Sequence, residues 1–191
     1  MFIQTEATPN PATLKFLPGQ VVMEMGTADF REPEAAAAQS PLAGRLFAID
    51  GVTGVFFGYD FVTVSKQDGV DWSHLKPAVL AGIMEHFMSD APVMADQGGA
   101  GGPSMGADEE FFDAGDETIV ATIKELIETR VRPAVAQDGG DITFRGFRDG
   151  VVFLHMKGAC AGCPSSTATL KHGIQNLLRH FIPEVQQVEA V

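Results

Sequence analysis

Apolar positions in DETIVATIKELIETRVRPAVAQDGG recur at helical spacing: Ile119, Ile123, Leu126, Ile127 and Val131 fall on one stripe. They predict a helix that Pro133 kinks or ends. DITFRGF and GVVFLHMKG follow, two strand-like runs joined across Arg148-Asp149-Gly150 as a hairpin. The period then returns to helical in PSSTATLKHGIQNLLRHF, with Leu170, Ile174, Leu177, Leu178 and Phe181 on one face, and VQQVEAV closes the chain as a short strand. Helix, strand, strand, helix, strand reads as helices layered on a small sheet.

The first half repeats the theme in another order. FIQTEA is strand-like, TPNP is a turn, and ATLKFLPG alternates Leu14 and Phe16 against Lys15 before a Pro-Gly turn. GVFFGYDFVTVSKQDG predicts a hairpin about Tyr59-Asp60. WSHLKPAVLAGIMEHFMSD predicts a helix with Ser73 as N-cap, a stripe of Leu75, Val79, Ile83 and Phe87, and Leu80, Met84 and Met88 beside it.

Charge divides these halves. Residues 1–89 hold five basic and ten acidic side chains, residues 90–116 none and seven, and residues 117–191 eight of each. The middle stretch is also rich in Gly and Ala, too poor in large apolar groups to offset the entropy of ordering it. The expectation is therefore two small α+β domains, residues 1–89 and 116–191, joined by a flexible acidic Gly-rich linker over 90–115. With 191 residues the length suits one or two domains.

The net charge of −12 argues against a nucleic-acid partner, whose phosphates call for Lys and Arg. No apolar run approaches the roughly 20 residues that span a bilayer, so no membrane partner is expected. The start, MFIQTEATPNP, has neither a secretory nor a transit-peptide layout. This points to the cytoplasm of a bacterium, or to the mitochondrial matrix if a presequence has been removed.

The candidate chemistry lies in KGACAGCPSS, which holds the only two cysteines, Cys160 and Cys163. Pro164 suits a first helical position, so both sulfurs are expected near a helix N-terminus. Unpaired N–H groups there favour thiolates, and the charges of Lys157 and Lys171 would add to this wherever the fold brings them close, a placement the sequence does not give. Gly158 and Gly162 permit tight turns. Metal ligation, dithiol exchange and simple packing all remain open, packing being the least favoured because core cysteines do not need such a turn.

Zinc sites and iron–sulfur clusters commonly take four protein ligands, and one chain offers two thiols. His172 stands nine residues past Cys163, roughly 13 Å along a helix. His180 is farther, which leaves His155 as the one local addition. For each histidine the plainer reading is a surface or satisfied side chain. Two chains about a two-fold axis would supply four thiolates at an exposed seam. A thioredoxin-like dithiol fits less well, since the preceding strands form a hairpin rather than a βαβ unit and Trp72 lies in the other domain.

RPAVAQDGGDITFRGF followed by VVFLHMKGACAGCPSSTATLKHGI resembles the NifU-like C-terminal domain of Nfu-type iron–sulfur scaffold and carrier proteins, over about residues 116–191. MFIQTEATPNPATLKFLPG is similar to the Nfu N-terminal domain. The resemblance implies a carrier, not an enzyme, with no catalytic residues. It would receive a 4Fe–4S cluster from upstream assembly machinery and pass it to apo-protein clients. Cys160 and Cys163 match the family's cluster ligands, used from both subunits of a homodimer, and the N-terminal domain would recognise clients or partners. Asp138, Gly139, Gly140 and Asp141 match the second motif. There Gly139-Gly140 is expected to shape the helix-to-strand turn and Asp141 to satisfy backbone N–H groups. A zinc-bridged dimer and a dithiol oxidoreductase are the alternatives.

Overall fold

A computed structural model describes residues 1–95 and 110–191, in two compact units. Most of the expected linker, residues 96–109, lies outside the described residues.

The first unit is a five-stranded antiparallel sheet with three helices. Its strands are β1 (Gln4–Ala7), β2 (Thr13–Leu17), β3 (Ala28–Phe30), β4 (Val52–Phe57) and β5 (Val62–Lys66), in the order β1-β2-β5-β4-β3. β4 and β5 form the expected hairpin, with Phe57 opposite Val62. Helices α1 (Pro33–Gln39), α2 (Pro41–Phe47) and α3 (Trp72–Met88) bring Ala36, Leu42, Leu46, Val79 and Ile83 against Phe16, Val55, Phe57, Val62 and Val64. Alternation along the strands explains the split. Phe57 and Val55 face that core, whereas Phe56 turns to the other face and meets Phe61 at 6.0 Å between ring centres.

The α3 cap differs from expectation. Asp71, not Ser73, is the N-cap: its carboxylate accepts the Ser73 N–H at 2.8 Å. Asp71 already has extended backbone, and a carboxylate at the positive end of a helix is a stronger acceptor than a hydroxyl. Its pKa is lowered, first by the bonds from the Ser73 backbone and hydroxyl.

The second unit has the expected order. Helix α4 (Glu117–Leu126) runs through a π turn (Ile127–Val131) into α5 (Arg132–Gln137). Strands β6 (Gly140–Arg148) and β7 (Val151–Gly158) follow, then helix α6 (Pro164–Phe181) and strand β8 (Gln187–Ala190). β7 is central, antiparallel to β6 and parallel to β8. Val152, Leu154 and Met156 alternate inward from β7 to meet Ile142, Val188, Val120, Ile123, Ile174 and Leu178.

Pro133 does not end the helix. The π turn before it bonds Arg132 N–H to the Ile127 carbonyl, five residues back, so the proline enters as a first-turn residue of α5, where its missing N–H is harmless.

Both ends of the expected linker belong to the units. Val93 and Ala95 fold back onto the first: the Ser40 hydroxyl donates to the Val93 carbonyl and the Ala95 N–H to the Gln39 carbonyl. Phe111 joins the second as an isolated bridge to Gly146, its ring 5.1 Å from that of Phe153 and the Arg148 guanidinium 5.2 Å above it.

Candidate functional site

The two cysteines lie on the short connection between β7 and α6. Gly158 (φ 65°) and Gly162 (φ 84°) both take left-handed backbone, which lets the chain leave the strand and enter the helix within a few residues. Pro164 holds the first turn of α6 and Cys163 is its N-cap residue, as the sequence predicts.

The two thiols have opposite surroundings, which corrects the expectation that the helix terminus favours the thiolate at both. Cys163 is partly exposed, its sulfur 3.3 Å from the Ser165 hydroxyl. Hydroxyl and backbone donors of Ser165 and Ser166, the Ser165 hydroxyl first, bring its pKa down to about 7. Cys160 is only 6% exposed and belongs to the hydrophobic core. Burial, and after it the nearby Asp138 and Asp141 carboxylates, push its thiol up to about 12. Lys171 does not serve either sulfur directly: its ammonium pairs with Glu189 at 2.7 Å.

The second motif explains where Cys160 sits. Gly139 (φ 80°) makes the helix-to-strand turn and its carbonyl accepts the Ala159 N–H at 3.2 Å. A Cβ on Gly140 would stand 2.6 Å from the Cys160 sulfur and 2.7 Å from the Lys157 carbonyl oxygen, so only glycine leaves that seat open. The Thr167 hydroxyl, on α6, donates to the Cys160 carbonyl at 3.1 Å.

Asp141 has a side-chain partner that the sequence reading did not name. Its buried carboxylate receives both Nε and Nη2 of Arg132, at 2.8 and 2.9 Å, while Arg132 Nη1 reaches Glu128 at 2.7 Å. A fork of this kind satisfies a buried carboxylate more completely than single N–H bonds do. Arg132 is a site residue the motif reading missed, although its nine-residue spacing to Asp141 across a helix and a turn was open to view.

Cys163 also opens onto a groove of about 640 Å³ between the start of α6 and β8, lined by Thr167, Lys171, His172, Gln175 and Gln187. His172 thus shares a groove with Cys163. His155 is half-buried on β7, opposite Thr143 of β6, and the His180 ring stands edge-on to Phe181 at 5.1 Å. Among the described residues no three His, Cys, Asp or Glu side chains come together as a metal site.

Residues 3–90 match the family described as "Scaffold protein Nfu/NifU N terminal", and residues 123–189 match the "NifU-like domain". The chain is 51% identical over 192 residues to the human "NFU1 iron-sulfur cluster scaffold homolog, mitochondrial", covering 100% of this chain and 72% of that protein. It is 53% identical over 193 residues to the protein of the same name from Drosophila erecta, covering 100% and 65%. Identity to "NifU-like protein 4, mitochondrial" of Arabidopsis thaliana is 51% over 191 residues, covering 99% and 65%. The chain therefore spans about two thirds of the length of these relatives. With both domains matched in order and half its residues shared with them, it belongs to the Nfu family of scaffold proteins.

Proposed function

We propose that this chain is an iron–sulfur cluster scaffold and carrier, not an enzyme. It would hold a labile 4Fe–4S cluster between two copies through Cys160 and Cys163 of each, and deliver it to apo-proteins. The observation that carries this reading is Cys163: a partly exposed thiol at the N-cap of α6, 3.3 Å from the Ser165 hydroxyl, whose donors draw its pKa down. Thiolates are the usual ligands of such clusters, and each takes four. The described residues of one chain gather no third ligand beside the pair, which favours completing the set from a second copy.

Delivery is ligand exchange. A client thiolate bonds to a cluster iron as Cys163 leaves it, and the freed sulfur is held by the Ser165 and Ser166 donors; no electrons change hands. Upstream assembly machinery supplies the cluster, and the N-terminal unit recognises clients or partners. No described helix is long and apolar enough to cross a membrane. The mitochondrial names of the relatives favour the matrix over the bacterial cytoplasm as the working compartment.

The test is native mass spectrometry after anaerobic loading with iron and sulfide. A dimer carrying one 4Fe–4S mass is expected from the parent chain and none from Cys163→Ser; normal loading by that variant would sink the ligand assignment. The unequal thiols also suit the dithiol–disulfide alternative, in which an exposed sulfur attacks and a buried one resolves. Insulin reduction by the monomer, with no cluster uptake, is the result that would favour it.

A further inference from the structure

We propose that Gly140 and Thr167 are positioning residues that keep Cys160 sheltered, so that the two ligands engage in a fixed order, Cys163 first and Cys160 after the turn opens. The proposal rests on the ligand roles given above for what the thiols bind, and on the geometry of the turn for the order.

Three contacts hold the sheltered state. The Cys160 sulfur occupies space that exists only because Gly140 has no side chain. The Ala159 N–H is tied to the Gly139 carbonyl, and the Cys160 carbonyl to the Thr167 hydroxyl. All three lie on the short segment bounded by two glycines with positive φ, Gly158 and Gly162, which can pivot without strain at either end.

Cys163, meanwhile, needs no movement to reach solvent. A cluster arriving at the surface therefore meets one sulfur per chain, and two chains give it two bonds. Breaking the Thr167 tie and unseating Cys160 would then let its thiol lose a proton to solvent and supply, from the two chains, the remaining two bonds. Run backwards, the same order makes release stepwise: a client thiolate bonds to the iron that Cys160 gives up, Cys160 takes a proton from solvent and returns to its seat as the thiol, and the exposed Cys163 sulfurs are exchanged in turn.

Thiol labelling of the intact, cluster-free chain tests this with iodoacetamide at neutral pH, each cysteine being followed by peptide mass spectrometry. A sheltered group reacts only through local opening, so Cys160 is expected to label at least about tenfold more slowly than Cys163, with the gap closing in urea. Thr167→Val removes one tie without adding bulk and should raise the Cys160 rate severalfold while leaving Cys163 within about twofold. Cluster uptake, in which unseating Cys160 is the later step, should accelerate alongside. Gly140→Ala should expose Cys160 further. Because its Cβ also meets the Lys157 carbonyl, folding of that variant is not required for the conclusion.

Comparable labelling of both thiols in the parent chain, or a Cys160 rate that Thr167→Val leaves unchanged, overturns the sheltered order. Failure of the parent chain to take up cluster would instead overturn the carrier reading and the ordered ligation built on it. The labelling ratio reports the sheltering separately.

Discussion

Arg132 and Asp141 hold each other through two parallel bonds, Nε to Oδ1 at 2.8 Å and Nη2 to Oδ2 at 2.9 Å, and the Asp141 side chain is 5% exposed against 29% for that of Arg132. Asp141 lies on β6 beside the Gly140 seat and Arg132 begins α5, so the pair ties the helix to the strand under the cysteine turn. Removing one member of a buried pair leaves the other charge without compensation. Arg132 keeps Glu128 and some solvent, which limits the damage. Asp141→Asn should therefore destabilise the second unit by about 2–3 kcal/mol in urea unfolding. Glu128→Gln, at an exposed carboxylate, should change it by less than about 1 kcal/mol. Equal effects of the two would show that the fork is not what matters.

Phe111 is coupled to Gly146 as a ring to a gap. A Cβ at Gly146 would stand 2.5 Å from two ring carbons, and the backbone bonds from Phe111 N–H to the Arg145 carbonyl and from Phe147 N–H to the Phe111 carbonyl straddle the same spot. Gly146→Ala should push the ring off Phe153 and cost about 1–3 kcal/mol, the range for forcing atoms into a filled space. Phe111→Ala should cost a similar amount by removing the ring. The double variant should cost less than the two together, because the added methyl then has nothing to displace. Strict additivity in thermal unfolding would refute the coupling.

That pairing also shows what the sequence could and could not convey. The long periodic segments read correctly: α3, α4, α6, the β4–β5 and β6–β7 hairpins and β8 all follow from spacing of apolar residues. Helices α1 and α2 gave no stripe, being seven residues each, one largely alanine and each begun by a proline. β3 has three residues, too few to alternate visibly. Phe111 looked like part of an acidic linker because its partner, Gly146, lies far along the chain at a bulge that no local pattern announces. At the site, the motif located both cysteines and the turn. It could not separate them, since the burial of Cys160 depends on a missing side chain at Gly140, and its raised pKa on that burial and on carboxylates brought in by a different turn.

His86 should make the first unit acid-sensitive. It lies on the inner face of α3, 1% exposed, and its Nε2 has no hydrogen-bond partner. Burial, then the Arg45 charge, lowers its pKa, and the Ala91 and Pro92 backbone offsets this only in part. The unfolded chain therefore takes up a proton as pH falls below about 6.5 while the folded one resists, so stability is lost in that direction. His86→Leu should flatten the fall in stability between about pH 6.5 and 5, followed by fluorescence of Trp72, the only tryptophan and part of this unit's core margin. An unchanged slope would assign the acid sensitivity to other groups.

The two thiols should part company on titration, and the second unit's stability should follow. Ultraviolet absorbance of thiolate is expected to rise in two separated steps, one near pH 7 from Cys163 and one near 12 from Cys160. Donation from the Ser165 hydroxyl stabilises the Cys163 thiolate, so Ser165→Ala should move the first step upward and leave the second alone. For Cys160 the shift has the opposite sign. The unfolded thiol ionises from about pH 9 while the folded one stays protonated, so alkali favours unfolding. Relative to Cys160→Ser, the parent chain should lose about 1.4 kcal/mol of stability per pH unit above 9, the worth of one unit of difference in pKa. That comparison cancels the lysines and tyrosine that titrate in the same range. A parallel decline in both proteins would mean that Cys160 ionises as freely folded as unfolded, and the seat under Gly140 would not be closed.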